Sequence, residues 1–325
     1  MIPTSFDYKA IYLSDSDDVD DPLGSLSDRR RLASRDYIYF NGPSGLALRG
    51  HIEQQEPISN STFNVDIAMN AAYERNKERI MNESIRPISD GIYAYYNSLN
   101  ILVGNQGRGK SHIVLRDIIQ ISRLKQCNFH LIVYVSKNGT INDSTFETQQ
   151  ELIKLPIKVV SDNDAEKYLK ELDYWKSLYE QYSNNPHVTI DSEKLNQMFE
   201  FLHITRAKGK LNHPLNTIIL CEDFVKSKLL KSSYFTNYIT QLRHKHSIVY
   251  INIQFFKSIP TEFKNNSTSF FIFNGFSRQK LNYIYQQVVF PMEFEELWSR
   301  YCYMKGHDFI LVNTRENTVD FVMTS

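Results

Sequence analysis

Ser98-Leu99-Asn100-Ile101-Leu102-Val103-Gly104-Asn105-Gln106-Gly107-Arg108-Gly109-Lys110-Ser111-His112-Ile113-Val114-Leu115-Arg116-Asp117-Ile118-Ile119 is the stretch whose reading decides the fold. Its centre, Gly104 to Ser111, fits G-x-x-x-x-G-K-[ST], a phosphate-binding loop. Glycines let the backbone turn tightly, so that successive N–H groups converge on phosphate oxygens. Lys110 supplies a point charge for the β- and γ-phosphates, and the Ser111 hydroxyl supplies a ligand for Mg²⁺. The pattern alone is weak, and its flanks strengthen it. Ser98 to Val103 predicts a short buried strand, and His112 to Ile119 carries apolar residues at helical spacing. Strand, glycine loop and helix is the order that sets phosphates on a helix N-terminus. Gly104, Asn105, Gln106, Gly107, Arg108, Gly109, Lys110, Ser111 and His112 are therefore the predicted nucleotide-binding residues, with ATP and Mg²⁺ as ligands.

Outward from this loop, apolar runs alternate with helical patterns. Phe129 to Val135 is nearly continuous in apolar residues, as expected of a central parallel strand covered on both faces. Ile157–Val160, Thr217–Cys221, Ser247–Gln254 and Ser269–Asn274 read as further strands. Phe309–Val312 and Val319–Val322 read as a closing hairpin. Helical spacing predicts helices over Asn163–Tyr182, from a cap at Asp191 or Ser192 to about Thr205, and over Leu281–Tyr301 with a break at Pro291. Val65–Glu83 reads as an amphipathic helix that Pro87 stops. The expected fold is α/β, a P-loop NTPase with a mainly parallel central sheet flanked by helices. Residues 140–212 are long for a simple crossover and predict a helical insertion. The expected organisation is an irregular N-terminal arm over 1–60, an ATPase core over 61–290, and a C-terminal helix and hairpin over 291–325.

The arm differs in composition from the rest. An acidic run, Ser14 to Asp21, is followed by Arg29-Arg30-Arg31 and Arg35, a pattern of solvated, docking segments. Tyr37-Ile38-Tyr39-Phe40 before Asn41-Gly42 predicts a strand and turn, an edge for the main sheet. Across the 325 residues, Lys+Arg and Asp+Glu both number 37, which argues against a uniformly basic nucleic-acid coat and leaves room for local basic patches. The cysteines Cys127, Cys221 and Cys302 are too scattered for a disulfide framework, and Cys127 with His130 lacks the second pair of a zinc site. A reducing, intracellular setting is expected. No signal peptide is expected, because no basic segment is followed by an apolar one at the start. No apolar run approaches the roughly 20 residues that span a bilayer.

A phosphate-binding loop needs an acid at the end of a neighbouring strand to hold Mg²⁺, usually through water. Ile218-Ile219-Leu220-Cys221 ends in Glu222-Asp223. In one register Glu222 lies over the metal and Asp223 orients or deprotonates the attacking water; a one-residue shift makes Asp223 the metal acid. Gln254 ends an apolar strand on the sheet edge where α/β proteins bind ligands, and can sense the γ-phosphate or hold water. Arg243 precedes the same strand, and an arginine can stabilise transition-state charge in trans.

Gly104 to Ser111, the Ile218–Asp223 strand, Gln241-Leu242-Arg243-His244, and Ile253-Gln254 followed by Ser258-Ile259-Pro260 together resemble the genome-packaging ATPases of large DNA viruses. That family is the poxvirus-type branch of the FtsK–HerA superfamily. Its pattern has an Arg-His pair before the fourth strand, a Gln ending it, then Ile-Pro, and Phe271-Ile272-Phe273 fits its next strand. The resemblance covers roughly residues 95 to 285. It implies a homo-oligomeric ring, pentamer or hexamer, around double-stranded DNA, with a capsid or portal-type vertex as partner. ATP hydrolysis would drive DNA into the capsid. It also implies Arg243 as the arginine finger, Gln254 as the sensor, and a location in the host cytoplasm, at viral factories, or in the virion. The chain departs from the family at the acidic pair, which is usually Asp followed by Asp or Glu. Arg108 inside the loop is suggestive, since some phage packaging motors place an arginine there.

DNA contact would fall to basic groups reaching phosphates. Lys226, Lys228 and Lys231 just past the acidic pair are candidates, as is the Arg206-Ala207-Lys208-Gly209-Lys210 loop, with Lys208 and Lys210 as its lysines. A nucleoside or nucleotide kinase is the rival reading, since Gly-Asn-x-Gly-x-Gly-Lys-Ser suits one. Against it, no arginine-rich lid is visible. A nucleotide-binding switch with little turnover is a third reading, and Glu222, Asp223 and Gln254 speak against it.

Overall fold

The computed structural model describes residues 40–41, 47–48, 88–89, 91–124, 128–141, 143–184, 190–204, 214–224 and 226–324. The acidic run, the arginine cluster, the Val65–Glu83 segment, Cys127 and the 206–210 loop lie outside them. Contacts divide the chain into two units, Met1–Thr62 and Phe63–Ser325. In the first, Phe40–Asn41 pairs antiparallel with Ala47–Leu48 in a sheet of its own. The strand expected near Phe40 thus pairs locally and is not an edge of the main sheet.

The second unit is built on eight strands. These are β1 (Leu99–Val103), β2 (Phe129–Ser136), β3 (Ile157–Ser161), β4 (Asn216–Cys221), β5 (Ser247–Ile253), β6 (Ser269–Phe273), β7 (Phe309–Asn313) and β8 (Thr318–Val322). Their order across the sheet is β8-β7-β6-β1-β5-β4-β2-β3. The run from β6 to β3 is parallel throughout. The hairpin β7–β8 continues the sheet antiparallel beyond β6, with Ser269 opposite Asn313.

Apolar side chains fill both faces of the central strands, which is why these strands read as near-continuous hydrophobic runs. Along β1, Leu99, Ile101 and Val103 join one core and Leu102 the other; along β2, Leu131, Val133 and Val135 alternate with Ile132 and Tyr134. One face is covered by α1 (Lys110–Arg123) through Ile113, Val114, Leu115, Ile118 and Ile121, with Phe146 of α2 (Ser144–Gln149) beside it. The other face carries α3 (Ala165–Asn184), α4 (Ser192–Phe201), α5 (Ser233–Thr240), α8 (Arg278–Tyr285) and α9 (Phe294–Tyr301). Two short helices, α6 (Leu242–Lys245) and α7 (Thr261–Asn266), flank β5. Each fully buried aliphatic side chain contributes about 1.5–3 kcal/mol, so these two layers dominate the stability of the sheet.

Residues 140–212, expected to be a helical insertion, contain among their described residues α2, the edge strand β3, α3 and α4. Asp191 caps α4 by accepting from Lys194 N. Tyr168 of α3 stacks on Phe201 of α4 with ring centroids 5.2 Å apart. The apolar stripe after Leu281 is two helices, α8 and α9, with Pro291 between them.

Because six strands run the same way, they share one C-terminal edge. Gly104, Ser136, Glu222, Gln254 and Asn274 follow or end strands on that edge. In an open α/β sheet this edge is where ligands bind.

Candidate nucleotide site

The loop from Gly104 to Gly109 leaves the end of β1 and feeds directly into α1. Gly104 N–H donates to Ile253 O at 3.2 Å, tying the loop entrance to β5. A Cβ on Gly104 would stand 2.7 Å from Phe273 Cβ, so only glycine fits between β1 and β6. Gly109 has φ +89 and caps α1 in the left-handed region, where other residues are strained. Gln106, Gly107 and His112 are exposed, and Arg108 is half-buried.

Lys110 Nζ donates to Gly104 O at 2.9 Å and Asn105 O at 3.0 Å, curling over the loop it belongs to. Burial lowers its pKa, against the opposing pull of Glu222, Asp223 and Asp143. Asn105 Nδ2 donates to Gly275 O at 3.1 Å. A Cβ on Gly275 would lie 3.0 Å from an Arg108 guanidinium nitrogen, so Arg108 rests on the backbone that follows β6.

The acidic pair divides in space. Glu222 turns toward the loop: its Oε1 lies 3.4 Å from Ser111 Oγ, and Asn252 Nδ2 donates to its Oε2 at 2.5 Å. Burial pushes the Glu222 carboxyl up to about 7, with Asp143 adding to the rise and Asn252, Lys110 and Ser111 opposing it. Asp223 adopts φ +50, is exposed, and accepts from Gln254 Nε2 at 3.2 Å. The strand order explains the meeting. β5 lies between β1 and β4, so Gln254 emerges between the phosphate loop and the acids.

Three contributors carried no periodic signal in the sequence. Asp143 Oδ2 accepts from Ser111 Oγ at 2.7 Å, while its Oδ1 caps α2 by accepting from Phe146 N at 2.8 Å. A capping acid before a six-residue helix is hard to tell from any turn residue. Asn252 is a lone polar residue in an apolar strand, which was the available hint. Tyr134 is buried on β2, and its hydroxyl has no hydrogen-bond partner among the described residues. Burial raises its pKa, as do the charges of Glu222 and Asp143.

Other predicted residues lie elsewhere. Arg243 and His244 are exposed on α6, just before β5 and therefore on the opposite edge of the sheet. Seven strand residues separate that edge from Gln254, roughly 20 Å at the rise of a β-strand. Arg315 of the β7–β8 turn donates to Asn97 O at 3.3 Å, and burial, with the charge of Arg243, lowers its pKa. Lys226, Lys228 and Lys231 are exposed beyond β4. Asp162 holds their loop, accepting from Ser227 Oγ at 2.5 Å and Lys228 N at 2.7 Å. His130 is a buried core residue with Nδ1 2.9 Å from Asn216 O, while its Nε2 finds no hydrogen-bond partner among the described residues. Among the described residues no group of three or more His, Cys, Asp or Glu side chains is placed to hold a metal, and no helix is long and apolar enough to cross a membrane. The donor set at Ser111 fits an oxygen-liganded Mg²⁺ held partly through water, with Glu222 3.4 Å away and Asp143 2.7 Å away.

No family model and no curated protein matches this chain. Among solved structures, it is similar to the genome packaging NTPase B204 from Sulfolobus turreted icosahedral virus 2 in complex with sulfate. That match has 11% identity, covers 69% of this chain and 95% of that one, and has a TM-score of 0.41. B204, the DNA-packaging ATPase from Sulfolobus turreted icosahedral virus, matches at 10% identity over 69% of this chain and 96% of that one, with a TM-score of 0.44. EssC (ATPases 2 and 3) from Geobacillus thermodenitrificans matches at 11% identity over 69% of this chain and 39% of that one, with a TM-score of 0.43.

Proposed function

We propose that the chain is an ATP-hydrolysing motor subunit that moves double-stranded DNA, of the kind that packages viral genomes into capsids. The observation that carries the proposal is the convergence of Lys110, Ser111, Glu222, Asp223 and Gln254 at one sheet edge while Arg243 stands on the other. A binding-only protein needs the loop; it does not need an acid pair with a glutamine set against it.

The residues divide the chemistry. Lys110 and the loop N–H groups hold the β- and γ-phosphates, and Ser111 and Glu222 would hold Mg²⁺. The metal, when bound, neutralises charge on the phosphate oxygens. Asp223 accepts the proton of the attacking water, and Gln254 orients that water from the neighbouring strand. Asn252 fixes the Glu222 carboxylate. Arg243 lies too far away to reach the loop of its own subunit, so it serves the site of a neighbour in a homo-oligomeric ring. Such a site is complete only on assembly. Lys226, Lys228 and Lys231, and by sequence Lys208 and Lys210, are the proposed DNA contacts, acting on phosphates and indifferent to base sequence.

The test is ATP turnover by purified protein with and without double-stranded DNA, paired with electron microscopy of the same sample. Rings with DNA-stimulated hydrolysis support the proposal. Phosphate transfer to a nucleoside with no response to DNA would establish the kinase reading instead.

A further inference from the structure

Asp143 has two bonded partners and only one of them is structural. Its Oδ1 accepts from Phe146 N at 2.8 Å and starts α2. Its Oδ2 accepts the hydroxyl proton of Ser111 at 2.7 Å, from 32 residues along the chain. Helix capping needs only the first. The second bond fixes which way the Ser111 hydroxyl points. With its proton committed to Asp143, both Oγ lone pairs are left for a cation.

A second observation places a ligand there. Tyr134 is 1% exposed, its hydroxyl has no partner among the described residues, and burial first, then the charges of Glu222 and Asp143, raises its pKa. Its ring packs on Phe146, the residue Asp143 caps, with centroids 4.7 Å apart. Tyr134 is paired with Leu220 across β2 and β4, which sets it on the same sheet face as Glu222, and a buried hydroxyl there calls for a polar partner.

Resting on the nucleotide-site reading above, we infer that Asp143 is a positioning residue for the divalent cation: it holds the Ser111 hydroxyl proton away from the metal, with the buried Tyr134 hydroxyl as a further polar group at the site. Acceptors behind a metal ligand orient it in this way, and their loss typically lowers metal affinity 10–100-fold.

Asp143→Asn separates the two roles. Asparagine keeps one oxygen to cap α2, and asparagine and aspartate cap helices about equally well. Its other atom is then an NH₂ group, which donates to Ser111 Oγ and occupies a lone pair. The experiment is Mn²⁺ titration of the full chain in the presence of ADP, read by electron paramagnetic resonance of free Mn²⁺. Nucleotide affinity in EDTA and the thermal melt are measured alongside, with Ser111→Ala for comparison. The expected result is a loss of Mn²⁺ affinity of about tenfold or more in Asp143→Asn, with nucleotide affinity in EDTA and the melt close to wild type. Asp143→Asn within twofold of wild type, while Ser111→Ala is weakened, overturns the inference and leaves the nucleotide site intact. If Ser111→Ala also binds Mn²⁺ as wild type does, or wild type binds no nucleotide, the nucleotide-site reading fails and the inference with it.

Discussion

Gln254 Nε2 donates to Asp223 Oδ1 at 3.2 Å, joining the ends of two adjacent parallel strands beside the phosphate loop. Asp223 has φ +50, a conformation that costs a non-glycine residue energy unless its surroundings hold it. The backbone turn separates it from Glu222, so that the two acids face different neighbours. In Gln254→Ala that tether is lost while the phosphate loop itself is untouched. Nucleotide affinity should stay within about threefold, and turnover by the assembled protein should fall 10²-fold or more. Isothermal titration and a phosphate-release assay check the two halves separately.

Lys110→Ala removes the loop cation that bonds the Gly104 and Asn105 carbonyls. ATP binding should weaken at least tenfold, with hydrolysis abolished. Glu222→Gln keeps an acceptor for Asn252 and loses the charge for the metal. It should bind ATP and turn it over at least 10²-fold more slowly.

Gly104→Ala tests the close approach of β1 and β6. A methyl group there meets Phe273 Cβ at 2.7 Å, an atom fixed to the backbone, so a strand must shift. Destabilisation of about 1–3 kcal/mol is expected, together with weaker nucleotide binding. Chemical denaturation measures the first effect and titration the second.

Asp117 lies on the buried face of the phosphate-loop helix α1, accepting from Tyr93 N at 3.2 Å, and burial pushes its carboxyl up to about 7. A raised carboxyl holds its proton more tightly in the folded chain than in the unfolded one. Its stabilising contribution is complete below the unfolded value of 3.8 and is lost as pH rises through about 7. Wild type should therefore lose stability relative to Asp117→Asn between about pH 4 and 7, by up to roughly 4 kcal/mol at 1.36 kcal/mol per pKa unit. Melting temperatures of both proteins across that range give the difference directly.

What could be read from the sequence follows from the kind of signal each feature leaves. The strands β1, β2, β4, β5 and β6 are buried on both faces, so their residues are predominantly apolar and visible at once. The loop and the acid pair are adjacent in sequence to those strands and were equally visible. Asp143 was not, because it starts a helix of six residues with no periodicity of its own, and its bond to Ser111 crosses between two strand ends. Tyr134 and Asn252 read as ordinary strand residues; only the register of β2, β5 and β4 turns them toward Glu222. The distance of Arg243 from the loop was also hidden. It depends on the direction of β5, which the sequence alone leaves open. The strand at Phe40 pairs with Ala47–Leu48 and not with the main sheet, because a turn signal beside a strand favours the nearest partner.

The central claim is that hydrolysis needs Arg243 from one subunit and Glu222 from the next. Mixing Arg243→Ala protein with Glu222→Gln protein, each inactive alone, measures this directly through ATP turnover with DNA present. In equal mixture about a quarter of the interfaces pair an intact Glu222 with an intact Arg243, so turnover should recover toward roughly a quarter of wild type. Full activity of Arg243→Ala by itself, or a mixture no more active than its two components, would contradict it.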